Sequence, residues 1–192
     1  MSFSQEIPLF PLTAQVLPGG KMKLRIFEAR YTRMVKEALR NASPFAICMI
    51  NQSVDKDHDN YILPLATLVQ VIDFEPLNDG FLGITVEGTE RCRVTPLRIE
   101  KDGLRIGNVE PLGQWQELPC SDKDQSLQQR LKEIYRVYPE LGELYPEPEL
   151  NSATWVCQRW LEILPLEPEV KQQLLDHDSC QSAREYLQQL VQ

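Results

Sequence analysis

Residues 7–31 read IPLFPLTAQVLPGGKMKLRIFEARY, and within this stretch the hydrophobic period changes twice. Up to Leu12 the chain is apolar but interrupted by Pro8 and Pro11. Proline donates no ladder hydrogen bond, so Gln5 to Leu12 is expected to be an edge strand or a strand entering a loop. Val16 to Gly20 (VLPGG) signals a turn, and Lys21 to Ile26 (KMKLRI) alternates polar and apolar residues as a half-buried strand does. From Phe27 the spacing becomes helical. Phe27, Tyr31, Met34, Val35 and Ala38 form one apolar stripe, which predicts a helix over Glu28 to Asn41.

Beyond the helix the chain returns to β character. Pro44 to Ile50 (PFAICMI) reads as a fully apolar strand, and Asn51 to Asn60 as a polar loop. Tyr61 to Phe74 and Phe81 to Val94 read as a long hairpin about Asn78-Asp79-Gly80, interrupted at Gly83 and Gly88. Leu97 to Glu100 and Leu104 to Glu110 read as a second hairpin around Lys101-Asp102-Gly103. After Pro119 the pattern is helical throughout. Ser121 to Asp124 has the form of a capping box, Asn151 or Ser152 can cap a helix carrying Trp155 and Trp160, and Pro168 suits a first helical turn. Pro139 to Leu150 reads as a connecting loop. The expected fold is therefore α+β: a β domain over residues 1–118, with one inserted helix and a closed or nearly closed sheet, then a helical lobe over 119–192.

Charge narrows the partners. The net charge of −8 divides unevenly, with 13 Lys+Arg against 15 Asp+Glu in residues 1–120 and 7 against 13 in the remainder, so a phosphate backbone would be repelled unless cations gather on one face. Arg30, Arg33, Lys36 and Arg40 form such a stripe on the predicted helix, read here as a solvated face. No apolar run approaches the ~20 residues that span a bilayer, and no leader pattern opens the chain, so a cytoplasmic protein without a membrane partner is expected. The five cysteines, Cys48, Cys92, Cys120, Cys157 and Cys180, are odd in number and widely spaced, which suggests buried thiols and neither a disulfide framework nor a metal cluster.

Motifs for catalysis are missing. Gly20-Lys21 is followed by Met22 and leads into a strand, so it does not form a phosphate loop. His58 and His177 both fall in polar, solvent-facing contexts. Asp55, Asp57 and Asp59 lack the central glycine and closing glutamate of a calcium loop. There is no G-x-S-x-G elbow and no H-E-x-x-H pair. No catalytic residue, metal or cofactor is assigned.

Three segments in order carry a family resemblance. Ile7 to Tyr31 resembles the opening signature of the N-terminal substrate-recognition domain of ATP-dependent Lon proteases: a P-L-F-P-L strand, a V-L-x-P-G turn and an I-F-E-x-R-Y junction. Leu65 to Val71 (LATLVQV) is similar to that family's glycine–threonine strand, with Ala66 in place of glycine. Val86 to Val94 (VEGTERCRV) matches its G-x-x-R-[FCY]-[RK]-[IV] element, with Gly88, Arg91 and Arg93 in the defining places. Ile163 to Ser179 is similar to the helix pair that follows. The resemblance implies a PUA-like β pseudobarrel followed by a helical lobe. It also implies a non-catalytic binding module, since neither an ATPase nor a Ser–Lys peptidase domain is expected in this chain.

Phe10, Leu12, Leu24, Ile26 and Phe27 are expected to be core. The motif residues Phe27, Glu28, Arg30, Tyr31, Gly88, Arg91 and Arg93 are expected to be structural, Glu28 pairing with Arg30 and Glu90 with Arg91 or Arg93. By analogy with Lon, the leading functional expectation is capture of unfolded or tagged polypeptide, or service as an adaptor to a separate protease or chaperone. The peptide would be bound by Leu17, Pro18, Gly19, Gly20 and Met22, with Leu17 and Met22 exposed. RNA binding through the basic stripe is the alternative, and the acidic balance counts against it. The sequence does not specify an oligomeric state.

Overall fold

The structure is a computed structural model and describes residues 4–192. These divide into two compact units, one ending at Gly113 and the other comprising Gln114–Gln192. The first unit contains six strands and one helix: β1 (Gln5–Leu12), β2 (Lys21–Ile26), α1 (Ala29–Asn41), β3 (Phe45–Ile50), β4 (Ile62–Pro76), β5 (Leu82–Ile99) and β6 (Arg105–Gly113).

The sheet order is β2-β5-β4-β3-β1-β6, and β6 also pairs with β5, so five strands close into a pseudobarrel. Closure depends on the length of β5. One edge pairs with β4, while along the other edge residues 82–87 pair with β2 and residues 91–99 pair with β6. The predicted break between Phe81 to Val94 and Leu97 to Glu100 does not occur. Pro96 lies beside a register shift, where the ladder to β6 tolerates a missing donor, and the strand continues.

β1 is interior, not an edge strand as its prolines suggested. It lies between β3, to which it is parallel, and β6, to which it is antiparallel. The pairings are staggered: the β3 ladder begins at Leu9, past Pro8, and the β6 ladder ends at Leu9, before Pro11. Each proline thus has only one ladder beside it, which is how an interior strand accommodates two residues without N–H groups. The core gathers buried residues of these strands, among them Phe45, Ala46, Ile47 and Cys48 in succession on β3, with Met34, Val35 and Ala38 of α1.

The second unit holds a short 3₁₀ turn (Asp122–Asp124), then α2 (Gln125–Val137), α3 (Pro139–Gly142), α4 (Ala153–Ile163), α5 (Pro168–Leu175) and α6 (Gln181–Leu190). The predicted loop after Pro139 begins with α3, because proline at a first turn is pre-set for helix. Ser121 and Asp124 form the expected capping box, and the Ser152 hydroxyl accepts from Trp155 N at 3.0 Å. Trp155 and Trp160 are core residues; the Trp160 indole donates to the Leu127 carbonyl at 3.1 Å. Asp124 is buried in this unit. It accepts from the Arg184 guanidinium, from Gln188 at 2.7 Å and from Ser121 N at 2.7 Å. Burial alone would raise its pKa, but these donors outweigh it and hold the carboxyl at about 2. No helix of the described residues is long and apolar enough to cross a membrane.

Candidate functional site

The Val16 to Gly20 turn does not project into solvent. It is sewn to Gly88: Gly19 N donates to the Gly88 carbonyl at 2.9 Å, and Gly88 N donates to the Gly20 carbonyl at 2.9 Å. Gly20 N closes the turn on the Leu17 carbonyl at 2.8 Å. A Cβ on Gly88 would fall 2.7 Å from the Leu17 carbonyl carbon and nearer still to its oxygen, so only glycine admits this approach. The bulge that follows, between the Gly88–Val69 and Glu90–Leu68 pairs, lets β5 change partners. Leu17 is 1% exposed, Pro18 and Gly20 are buried, and Met22 is half-buried, which corrects the expectation that Leu17 is available to solvent. The reason is the docking itself, which brings the turn down onto β5.

A concave surface of about 390 Å³ lies where β1 ends and β2 runs into α1. Phe10, Leu12, Leu24, Ile26 and Tyr31 contribute its apolar side, with Tyr61 and Ile50 from either end of the polar loop. The Phe10 and Tyr31 rings are 4.2 Å apart, centroid to centroid. Burial pushes the Tyr31 phenol up, against the pull of the Arg30 guanidinium. At the lip, Phe27 is 64% exposed, and its ring lies 6.1 Å from that of Phe81, itself 39% exposed. Phe27 therefore does not join the core. Helix α1 starts at Ala29, one residue later than predicted, so Phe27 sits in the extended link ahead of the helix and off its buried stripe. Beside the groove, β2 pairs with β5 alone, leaving its other edge without a strand partner among the described residues.

A family model described as the ATP-dependent protease La (Lon) substrate-binding domain matches residues 6–192. The chain belongs to this family. Among solved structures, it is similar to the Lon N-terminal domain protein from Xanthomonas campestris. The identity is 30%, with 95% of this chain and 96% of that one covered and a TM-score of 0.73. It also shares the fold of the N-terminal domain of Mycobacterium avium complex Lon protease, at 12% identity, the same coverages and a TM-score of 0.58. No curated protein matches the chain.

In this Lon substrate-binding domain the remaining motif residues fall in two places, Glu28, Arg30 and Tyr31 in the lining of the groove and Arg91 and Arg93 in the β4–β5 ladder. Arg30 pairs with Glu28 at 2.7 Å, as expected, and donates to the Gly103 carbonyl at 3.1 Å. Gly103 has φ +89°, and a Cβ there would lie 2.8 Å from the Arg30 guanidinium. Arg33, read from sequence as solvated, contacts Glu100 at 2.5 Å, Asp102 at 2.8 Å and Glu37 at 3.3 Å. Those carboxylates raise its pKa, and its guanidinium in turn lowers that of Asp102. Two cations of the basic stripe are thus committed to the β5–β6 turn. Arg91 is buried opposite Thr67, Arg93 is half-buried opposite Leu65, and Glu90 accepts from Gly113 N at 3.1 Å.

Lys56, Tyr61, Phe81 and Arg105 escaped sequence reasoning. Arg105 lies over the Tyr61 ring at 4.9 Å and donates to the Lys56 carbonyl at 2.7 Å. Lys56 and Tyr61 share the loop between β3 and β4, Phe81 precedes β5 and Arg105 opens β6, so no local motif joins them and the fold brings them to one face. His58 and His177 are exposed. Among the described residues no group of three or more His, Cys, Asp or Glu is arranged to hold a metal ion.

Proposed function

We propose that this substrate-binding module captures unfolded or tagged polypeptide, laying an extended apolar segment into the groove between β1 and β2. The observation that carries this reading is Phe27: a large aromatic side chain, 64% exposed and beside Phe81, at the lip of a concave apolar surface. A volume of about 390 Å³ is within the ~300–1,000 Å³ range of sites that enclose a small ligand or a few side chains. The unpaired edge of β2 offers main-chain groups to an extended segment, the usual chemistry of strand addition. Leu17, Pro18, Gly19 and Gly20 enter this reading as the anchor that places β2, with Met22 on the strand itself. The module itself is non-catalytic in this reading and acts in the cytoplasm, where a separate protease or chaperone receives the held segment.

Isothermal titration with unfolded model proteins and apolar peptides tests the proposal. Binding in the micromolar range is expected, and Phe27→Ala should weaken it by about tenfold, the scale of one aromatic contact at an interface. Absence of binding at high micromolar concentration, or equal binding by Phe27→Ala, refutes it.

A further inference from the structure

We infer that the groove prefers segments in which a large apolar side chain is flanked by aspartate or glutamate, Arg105 and Lys56 receiving the carboxylates. The inference rests on the reading of the groove as a polypeptide site and adds the chemistry of the segment.

The charge around the groove is opposite to that of the chain. Against a net −8, its lining carries Arg25, Arg30, Lys56 and Arg105 and only one acid, Glu28. Two of the cations are spoken for, Arg30 by Glu28 and Arg25 by Asp79. The other two have no carboxylate within ion-pair distance among the described residues. Asp57 and Asp59 line an adjoining hollow that Arg105 also borders, but neither carboxylate lies within ion-pair distance of Arg105 or Lys56. Arg105 is half-buried and held: its guanidinium lies over Tyr61 and donates to the Lys56 carbonyl. A guanidinium has five donors in a planar fork that matches a carboxylate, and holding it beforehand lowers the ordering cost of binding. The surplus charge lies beside Phe10, Tyr31 and Tyr61, so one segment can satisfy both surfaces only if its apolar and acidic side chains are close in sequence. The acidic remainder of the protein does not cancel this, because exposed charges beyond about 8–10 Å are largely screened at physiological salt.

Fluorescence anisotropy with labelled peptides sharing one aromatic centre, flanked by Glu/Asp, by Gln/Asn or by Lys, reads the preference directly. The acidic peptide should bind about 3- to 15-fold more tightly than the amide peptide at low ionic strength, the scale of two partly exposed charge pairs. The lysine peptide should bind weakest, and the differences should shrink in high salt. The double variant Lys56→Ala/Arg105→Ala should bring the acidic and amide peptides together, while Phe27→Ala weakens both. Equal affinity for the acidic and amide peptides in the unaltered protein overturns this inference and leaves the polypeptide reading standing, as does a preference that survives in the double variant. Failure of every peptide to bind overturns the polypeptide reading itself. The comparison across peptides and salt uses the unaltered protein, so it decides even if a variant misfolds.

Discussion

Replacing Gly88 by alanine would place a methyl carbon 2.7 Å from the carbonyl carbon of Leu17 and against its oxygen. Backbone has no rotamer with which to yield, so either the Val16 to Gly20 turn lifts away or β5 moves. Overpacking of this kind costs about 1–3 kcal/mol. Lifting the turn also loses the Gly19–Gly88 and Gly88–Gly20 hydrogen bonds, at about 1 kcal/mol each. The expected loss is about 3–5 kcal/mol, a large part of the ~5–15 kcal/mol that holds a domain folded. Gly80→Ala is the internal control. It has φ +82° but no atom within 4 Å of the new methyl, so only the left-handed backbone is penalised, at about 1–2 kcal/mol. In urea unfolding followed by far-ultraviolet circular dichroism, Gly88→Ala should lower the midpoint by about 2 M for a slope near 2 kcal/mol/M. Gly80→Ala should lower it by less than half as much. A Gly88→Ala midpoint no lower than that of Gly80→Ala would show that the docking of the turn does not stabilise the sheet.

Two predictions concern the second unit. The folded pKa of Asp124, about 2, lies below the ordinary aspartate value of about 3.9, so its contribution is complete above pH ~4 and disappears as pH falls toward 2; about 2.5 kcal/mol is at stake. Tryptophan fluorescence reports this unit, which holds Trp115, Trp155 and Trp160, and its unfolding midpoint should rise between pH 2 and 4 in the natural protein but not in Asp124→Asn. Of the five free cysteines four are buried and Cys120 is half-buried, its thiol pushed up to about 11, chiefly by burial. An aromatic disulfide reagent should therefore titrate one thiol slowly in the native protein and all five after unfolding, and Cys120→Ser should abolish the native reaction.

Local backbone constraints were readable in the sequence, and contacts made by closure of the sheet were not. The VLPGG turn, the helix that follows, the Asn78-Asp79-Gly80 reversal and the Ser121 cap all follow from residues adjacent in the chain. The interior place of β1 did not, because proline reports a missing donor and says nothing of a staggered ladder that needs none at that point. Phe27 was assigned to the core because the helical period was extended one residue too far toward the N-terminus, and that residue became the most exposed aromatic side chain of the groove. Gly88 was legible as a motif residue, but its reason, the approach of Leu17 across an intervening helix and three strands, required the fold.

Exposure of Phe27 has a local cause. The Glu28–Arg30 pair and the bond from Arg30 to the Gly103 carbonyl brace the start of α1, with helix only from Ala29 onward. An earlier start would carry Phe27 toward the buried stripe of Tyr31, Met34 and Val35. Full burial of a phenylalanine gains about 2–3 kcal/mol, so about two-thirds exposure leaves roughly 1.5–2 kcal/mol unrealised in the isolated domain. A ligand that covers the ring can recover that amount, which corresponds to about 10- to 30-fold in Kd. The cost to folding is small beside the gain from the core, and the affinity is available only to a partner that brings apolar surface of its own. The turn on Gly88 sets β2 on β5, β2 and the link after it deliver Leu24 to Phe27 to the groove, and the Glu28–Arg30 brace keeps Phe27 outside the core. The turn on Gly88, which is not part of the lining, would in this way help set how strongly a segment in the groove is held.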